Sequence, residues 1–275
     1  MASNYNSLVE AFHLTCEAGD LPKTQEALAT RQLTAEDLDK GLALATKEAH
    51  FDLVATLFDT GACVSDWAVA SLPGRRGVQQ HPSIVRQYLD HGLDANANYH
   101  NGIPILVKMR NPAYARELLS RGANPNYSDP REVTPLHRAI HSSSEEAISL
   151  IGLLLAHRAK LEPDLLFEAV APRVPQGELI TRFLLAKGLD PNTPSVKWGN
   201  PLNRAIHSAR PKIVKILLDA GADPTGQSAH PQYRGVGPLQ IVKNIQSPKL
   251  QQAILTLLQS QGIDVGGDSG VERAR

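Results

Sequence analysis

His137 and His141 stand four residues apart, a spacing that on a helix puts both imidazoles on one face, where two histidines hold a zinc ion. A zinc site takes further protein ligands, and no third one is visible, so no metal is expected. A second arrangement pairs His141 with His207. Imidazoles titrate near neutrality and suit proton transfer, and Arg138 or Arg204 would hold an anion beside them. Gly267-Asp268-Ser269-Gly270 has the composition of a loop that carries a nucleophilic serine. That chemistry needs a buried aspartate, a histidine and an oxyanion hole on a rigid scaffold, and residues 266–275 are too poor in apolar groups to provide one. No Gly-x4-Gly-Lys or Gly-x-Gly-x2-Gly run occurs, so no nucleotide and no other cofactor is expected.

The bulk numbers narrow the field in the same direction. The 275 residues carry 28 Lys+Arg against 28 Asp+Glu, which supplies no basic field for nucleic acid. Cys16 and Cys63 are too few for a disulfide framework or a thiolate metal site, as in a reducing compartment. The cytoplasm, or failing that the nucleus, is the expected location. The polar start, Met1 to Glu10, has no secretion-signal pattern. The longest uncharged apolar run, Ala147 to Ala156, has ten residues, half of the roughly 20 that cross a bilayer as a helix, so no membrane association is expected.

The elements that must position these side chains announce themselves as a repeat. Thr134-Pro135-Leu136-His137-Arg138-Ala139-Ile140-His141-Ser142 returns as Asn200-Pro201-Leu202-Asn203-Arg204-Ala205-Ile206-His207-Ser208, an offset of 66, twice 33. Asp164-Leu165-Leu166-Phe167-Glu168-Ala169-Val170 takes the same register between them, with weaker copies at Ile103-Pro104-Ile105-Leu106 and Gly237-Pro238-Leu239-Gln240. A second signature closes each unit at Gly61, Gly92, Gly122, Gly188 and Gly221, at intervals of 31, 30, 66 and 33. Three of these, Gly122, Gly188 and Gly221, have a proline three residues on. A left-handed glycine with proline soon after is how helices stop. Arg158 takes the glycine's place inside the interval of 66.

Thr134-Pro135-Leu136-His137 and the Gly221-Ala222-Asp223-Pro224 ending resemble the ankyrin repeat, a turn plus two antiparallel helices in about 33 residues. The resemblance implies an all-α solenoid of about eight helix-turn-helix units: 1–34, 35–64, 65–95, 96–125, 126–161, 162–191, 192–225 and 226–265. Units before residue 96 are degenerate, and 266–275 is expected as a disordered tail. Ala139, Ala169 and Ala205 are expected to let inner helices approach, and 212–218 to carry the apolar stripe of an outer helix. His137 is implied to hydrogen-bond the turn backbone.

The same register implies where a partner docks, since turn tips and the ends of inner helices face the groove in such proteins. It nominates Arg110, Asn111, His141, Ser142, His207 and Ser208 on the inner helices, and Tyr99, His100, Tyr127, Arg131, Lys197, Trp198, Tyr233 and Arg234 on the tips. Exposed Tyr, Trp and Arg are the types that dominate interface energies. Arg75 and Arg76, between Gly74 and Gly77, read as a solvated loop. The expectation is a monomeric, non-catalytic interaction scaffold or adaptor for another protein; the alternative is an enzyme or small-molecule binder using His141, His207 and Arg204. Two such histidines, two repeats apart, would lie about 20 Å from each other at the ~10 Å spacing of packed helices.

Overall fold

The computed structural model describes residues 2–73, 78, 81–99, 101–143, 145–195, 198–227 and 235–265. His100, Lys197, Tyr233, Arg234, the Arg75–Arg76 loop and the 266–275 tail lie outside the described residues.

Among the described residues sixteen helices form, and from the third repeat onward a short inner helix alternates with a longer outer one. The pairs are α1 (Ala2–Ala18) with α2 (Leu21–Ala29), α3 (Ala35–Lys47) with α4 (Phe51–Asp59), α5 (Asp66–Ser71) with α6 (Pro82–Asp90), and α7 (Ile105–Lys108) with α8 (Pro112–Ser120). They continue as α9 (Pro135–Ile140) with α10 (Ala147–Ala156), α11 (Asp164–Ala169) with α12 (Gly177–Ala186), α13 (Pro201–His207) with α14 (Pro211–Asp219), and α15 (Pro238–Lys243) with α16 (Pro248–Ser260). Each pair falls inside one of the eight repeats read from the sequence. Among the described residues there is no strand, only two isolated bridges, Asn98–Pro104 and Ser195–Gly199, that close turn tips. The fold class is an all-α repeat solenoid.

Local chemistry sets the helix ends. Thr34 and Asp37 form a reciprocal capping box at the start of α3. Asn111 caps α8 by accepting from Ala113 N at 2.7 Å, and Asn200 caps α13 by accepting from Asn203 N at 2.9 Å. Proline occupies the first turn of α6, α8, α13, α14, α15 and α16, where its missing N–H costs nothing. At the far ends, Gly61, Gly92, Gly122, Gly188 and Gly221 have φ between 87° and 101°. Arg158 matches them at φ 69°, a left-handed conformation held by a residue with a Cβ.

The chain forms two compact units, one of residues 1–139 with 149–159 and one of 140–148 with 160 onward. In the first, α1, α3 and α5 stack as an inner layer over the outer row α2, α4, α6 and α8. Its core includes Phe12, Leu42, Leu57, Tyr88, Ile105 and Tyr114. In the second, α11, α13 and α15 stack side by side behind α12, α14 and α16. Ala169 and Ala205 are buried where inner helices meet, and Ala139 is buried in the first unit, as the register required. On α14, Ile213, Val214, Ile216, Leu217 and Leu218 are buried, while Lys212 and Lys215 face water.

Asparagines stitch successive repeats. Asn96 Nδ2 donates to Gly122 O at 3.1 Å while Asn96 Oδ1 accepts from Asn124 N at 2.8 Å. Asn192 repeats this on Gly221 O at 2.9 Å and Asp223 N at 2.6 Å, and Asn126 Nδ2 reaches Arg158 O at 3.1 Å. A carbonyl at a helix end needs such a partner, because the helix leaves it unpaired. Arg210 works in the opposite direction, donating to Ala171 O at 2.7 Å and Val174 O at 3.4 Å. A Cβ on Gly177 would stand 2.7 Å from both the Arg210 guanidinium and Ala169 O, so the close approach there requires glycine.

Candidate protein-interaction groove

The second unit gathers most of the chemistry along one line. α11 presents Glu168, α13 presents Arg204 and ends on His207, and the tip 193–199 presents Trp198. This tip is tight: Ser195 and Gly199 exchange two backbone hydrogen bonds at 2.7 and 2.8 Å, with Gly199 at φ 81°, a turn that only glycine makes without strain. His141 follows α9 directly.

Glu168 is the centre. His141 Nε2 lies 2.9 Å from Glu168 Oε2, and Arg204 Nη1 lies 3.4 Å from Oε1. The hydrogen bond from His141, together with the charge of Arg204, holds the Glu168 carboxyl at about 2, against partial burial that pushes it the other way. A carboxylate only accepts, so the bonded imidazole nitrogen carries its proton. The Trp198 ring covers the Arg204 guanidinium, 5.2 Å from Cζ to the ring centroid, and meets His207 edge-on at 5.4 Å. His141, Glu168, Arg204, Trp198 and His207 therefore form one contact chain.

Two hollows flank the Trp198–His207 pair. One, of about 510 Å³, lies between α11 and the tip and is lined by Glu162, Asp164, Phe167, Glu168, Trp198 and Arg204 among others. The other, of about 360 Å³, is lined by His207, Ala209, Ile241 and Ile245 with Asn244, Gln246 and Ser247.

The residues nominated from the register separate into groups. Trp198, His141, His207 and Ser208 lie on this face of the second unit, Trp198 and Ser208 half-buried and the two histidines exposed. In the first unit, Arg110 and Arg131 are exposed, and Tyr127 is 48% exposed at its tip. Asn111 is occupied as the α8 cap. Two nominations are corrected by burial. Tyr99 is 4% exposed, its ring under Lys108 Nζ at 4.1 Å, because the tip folds back through a Tyr99 N to Ile103 O bond. Ser142 is 8% exposed, at the end of the α9 turn. Neither side chain has a face to offer a partner. His137 bonds the Thr134 hydroxyl through Nδ1 at 2.8 Å.

Glu168 was missed as a site residue, and the signal was present. It occupies the register position just before the small inner-helix alanine, where Arg138 precedes Ala139 and Arg204 precedes Ala205. Opposite charges at equivalent positions in adjacent repeats are set to pair. Trp67 was also missed: it sits in the first turn of α5 in the first unit, 74% exposed.

Helix pairs of this length, stacked in two layers and closed by left-handed glycines, define a repeat protein built on the ankyrin plan. No family model matches the sequence. The chain is similar to a putative ankyrin repeat protein of Rickettsia bellii, 26% identical over 183 residues, covering 64% of this chain and 44% of that protein. It is similar to the E3 ubiquitin-protein ligase KEG of Arabidopsis thaliana, 25% identical over 256 residues, covering 80% of this chain but 15% of the ligase. The chain thus spans less than half the length of these curated relatives. Among solved structures, an ankyrin repeat domain from Acinetobacter baumannii superposes with a TM-score of 0.53 at 23% identity, covering 66% of this chain and 92% of that one. The human ASB11 ankyrin repeat domain does so with 0.51 at 19% identity, covering 90% and 96%. The chain is an ankyrin-repeat protein in fold. No helix among the described residues is long and apolar enough to cross a membrane.

Proposed function

We propose that this chain is a non-catalytic interaction scaffold or adaptor that takes another protein against the groove face of α11, α13 and α15. The observation that carries the reading is Trp198, a half-buried indole beside the Ser195–Gly199 backbone pair, bordering one hollow and touching His207, which borders a second. Interfaces place their energy in such rings, ringed by polar contacts. His141, His207 and Ser208 supply the polar contacts in the second unit; Arg110, Tyr127 and Arg131 are the surface the first unit offers.

The His141–Glu168 pair has the look of a base and its orienter, yet it lends the enzymatic alternative little. Glu168 is committed to Arg204 as well as His141, and an ion-pair network that links neighbouring repeats accounts for its lowered pKa without catalysis. The ubiquitin ligase relative is compatible with an adaptor role but covers too little of that enzyme to transfer more.

Trp198→Ala tests the reading. Affinity for a partner isolated from native lysate should fall about thirtyfold, the equivalent of ~2 kcal/mol for a desolvated aromatic anchor. The helical circular dichroism should be retained. Unchanged affinity for the partner would remove Trp198, and with it this groove, from the interface.

A further inference from the structure

We propose that the Asn101–Gly102 tip of the first unit is a self-modification site, where the Asn101 carboxamide is converted by its own backbone and water to aspartate or isoaspartate, and that the isoaspartyl form frees Tyr99 from its buried place. Asn101 and Gly102 are both exposed to water. Gly102 is the one residue after an asparagine in this chain that has no side chain, and it stands at φ 73°. A Cβ built there would meet nothing nearer than Pro130 Cγ at 3.5 Å, so the space beside Gly102 is open. Asn101 Oδ1 accepts from Ile103 N at 3.4 Å, which folds the carboxamide carbon forward, toward the Gly102 nitrogen.

The step needs no reagent but water. The Gly102 nitrogen gives up its proton and bonds to Asn101 Cγ; the Cγ–Nδ2 bond breaks and the amine leaves as ammonia, closing a cyclic imide. Water then opens the imide. Cleavage at Cγ returns a normal backbone with an aspartate, whereas cleavage at the main-chain carbonyl leaves isoaspartate, whose backbone runs through Cγ and is one methylene longer. Nothing is oxidised or reduced. The closed tip holds the reaction back, since Gly102 N donates to Tyr99 O at 2.8 Å and Tyr99 N to Ile103 O at 2.9 Å. Backbone bonds at an exposed tip open locally at low cost, so conversion proceeds from that opened state. The isoaspartyl product cannot close the tip again. Its extra methylene falls between Tyr99 and Ile103, the two residues whose pairing folds the tip back, and the register of that pair is lost. Tyr99 is then held by little beyond Lys108 above its ring. Its Oη is buried and finds no hydrogen-bond partner among the described residues, a cost that exposure to water removes.

The full chain, incubated near neutral pH at physiological temperature, tests this by mass spectrometry after tryptic digestion. The peptide from Gln87 to Lys108 carries Asn101, Tyr99 and Tyr88 together. Asn101 should gain the mass of an amide exchanged for an acid, roughly tenfold faster than any other asparagine, each of which precedes a residue with a side chain. Asn101→Gln should stay unmodified at this position. His100 supplies no reacting atom, so His100→Ala should convert as the parent does. Acetylation of tyrosine by N-acetylimidazole before digestion reads the release. In isoaspartyl molecules Tyr99 should label as readily as Tyr127, which is 48% exposed, while the fully buried Tyr88 stays unlabelled. An Asn101 that stays intact in the folded chain after it has converted in the urea-unfolded chain, or that converts no faster than the other asparagines, overturns the modification site, as does conversion abolished in His100→Ala. Tyr99 still protected in isoaspartyl molecules, or labelled only together with Tyr88, overturns the release.

Discussion

Glu168 shows how a single carboxylate ties a site to its scaffold. Its acidity is raised by the bond from His141 and by Arg204, so its native pKa, about 2, lies below its ordinary value of 4.5. A group depressed in this way contributes stability that is fully present above the ordinary value and is lost as pH falls toward 2. Glu168→Gln should therefore be less stable than the parent at pH 6, and the gap in urea midpoints should close as pH drops from 5 to 2.5. A gap that stays constant over that range would mean the ion pairs contribute nothing. Cys16, by contrast, is pushed up to about 12 by burial and is inert as a nucleophile. Arg158 is a different kind of residue, one whose backbone and not its side chain is unusual. A non-glycine residue held left-handed costs about 1–3 kcal/mol, of which glycine's unfolded-state entropy takes back about 0.4–1. Arg158→Gly should gain roughly 1 kcal/mol, seen as a higher midpoint in thermal unfolding.

At the scale of the helices, Gly61, Gly92, Gly122, Gly188, Gly221 and Arg158 mark the stops of six outer helices, α4, α6, α8, α12, α14 and α10, at the places the register sets. Short inner helices were harder to see: α7 is only four residues because Asn111 and Pro112 start α8 almost at once. The site was half legible. Trp198 and the two histidines sit on the groove because their positions are dictated by the repeat, whereas the burial of Tyr99 depends on how its tip folds back, which no periodicity records. The asparagine stitches were not read as such, although Asn126 and Asn192 occupy the same place directly after a proline. Asn192→Ala removes the hydrogen bonds to Gly221 O and Asp223 N, which at this exposed position are worth about 0.5–1.5 kcal/mol each. Denaturant unfolding should show that loss with circular dichroism unchanged in buffer; a loss below a few tenths would assign the carbonyl to solvent.

Across the whole molecule, stability in a repeat array is close to a sum over neighbours, so protection should follow how much each repeat buries with the next. Hydrogen exchange should be slowest in α3–α4 and α13–α14, whose core residues are buried along both helices, and fastest at α5 and α7, the short inner helices of the weaker repeats. Uniform protection from α1 to α16 would instead indicate a single all-or-none unit. The asparagine stitches add a sense of time to this arrangement. Each reaches forward, from Asn96 to Gly122, from Asn126 to Arg158 and from Asn192 to Gly221, and the 171–174 loop waits for Arg210. A ribosome delivers residues from the N-terminus at about 5–20 per second, so each of these stitched repeats leaves the exit tunnel with a turn still open and is sealed only seconds later by its successor. Over these stretches the nascent chain therefore carries an unfinished repeat at its growing end, a moving site where a chaperone has something to hold.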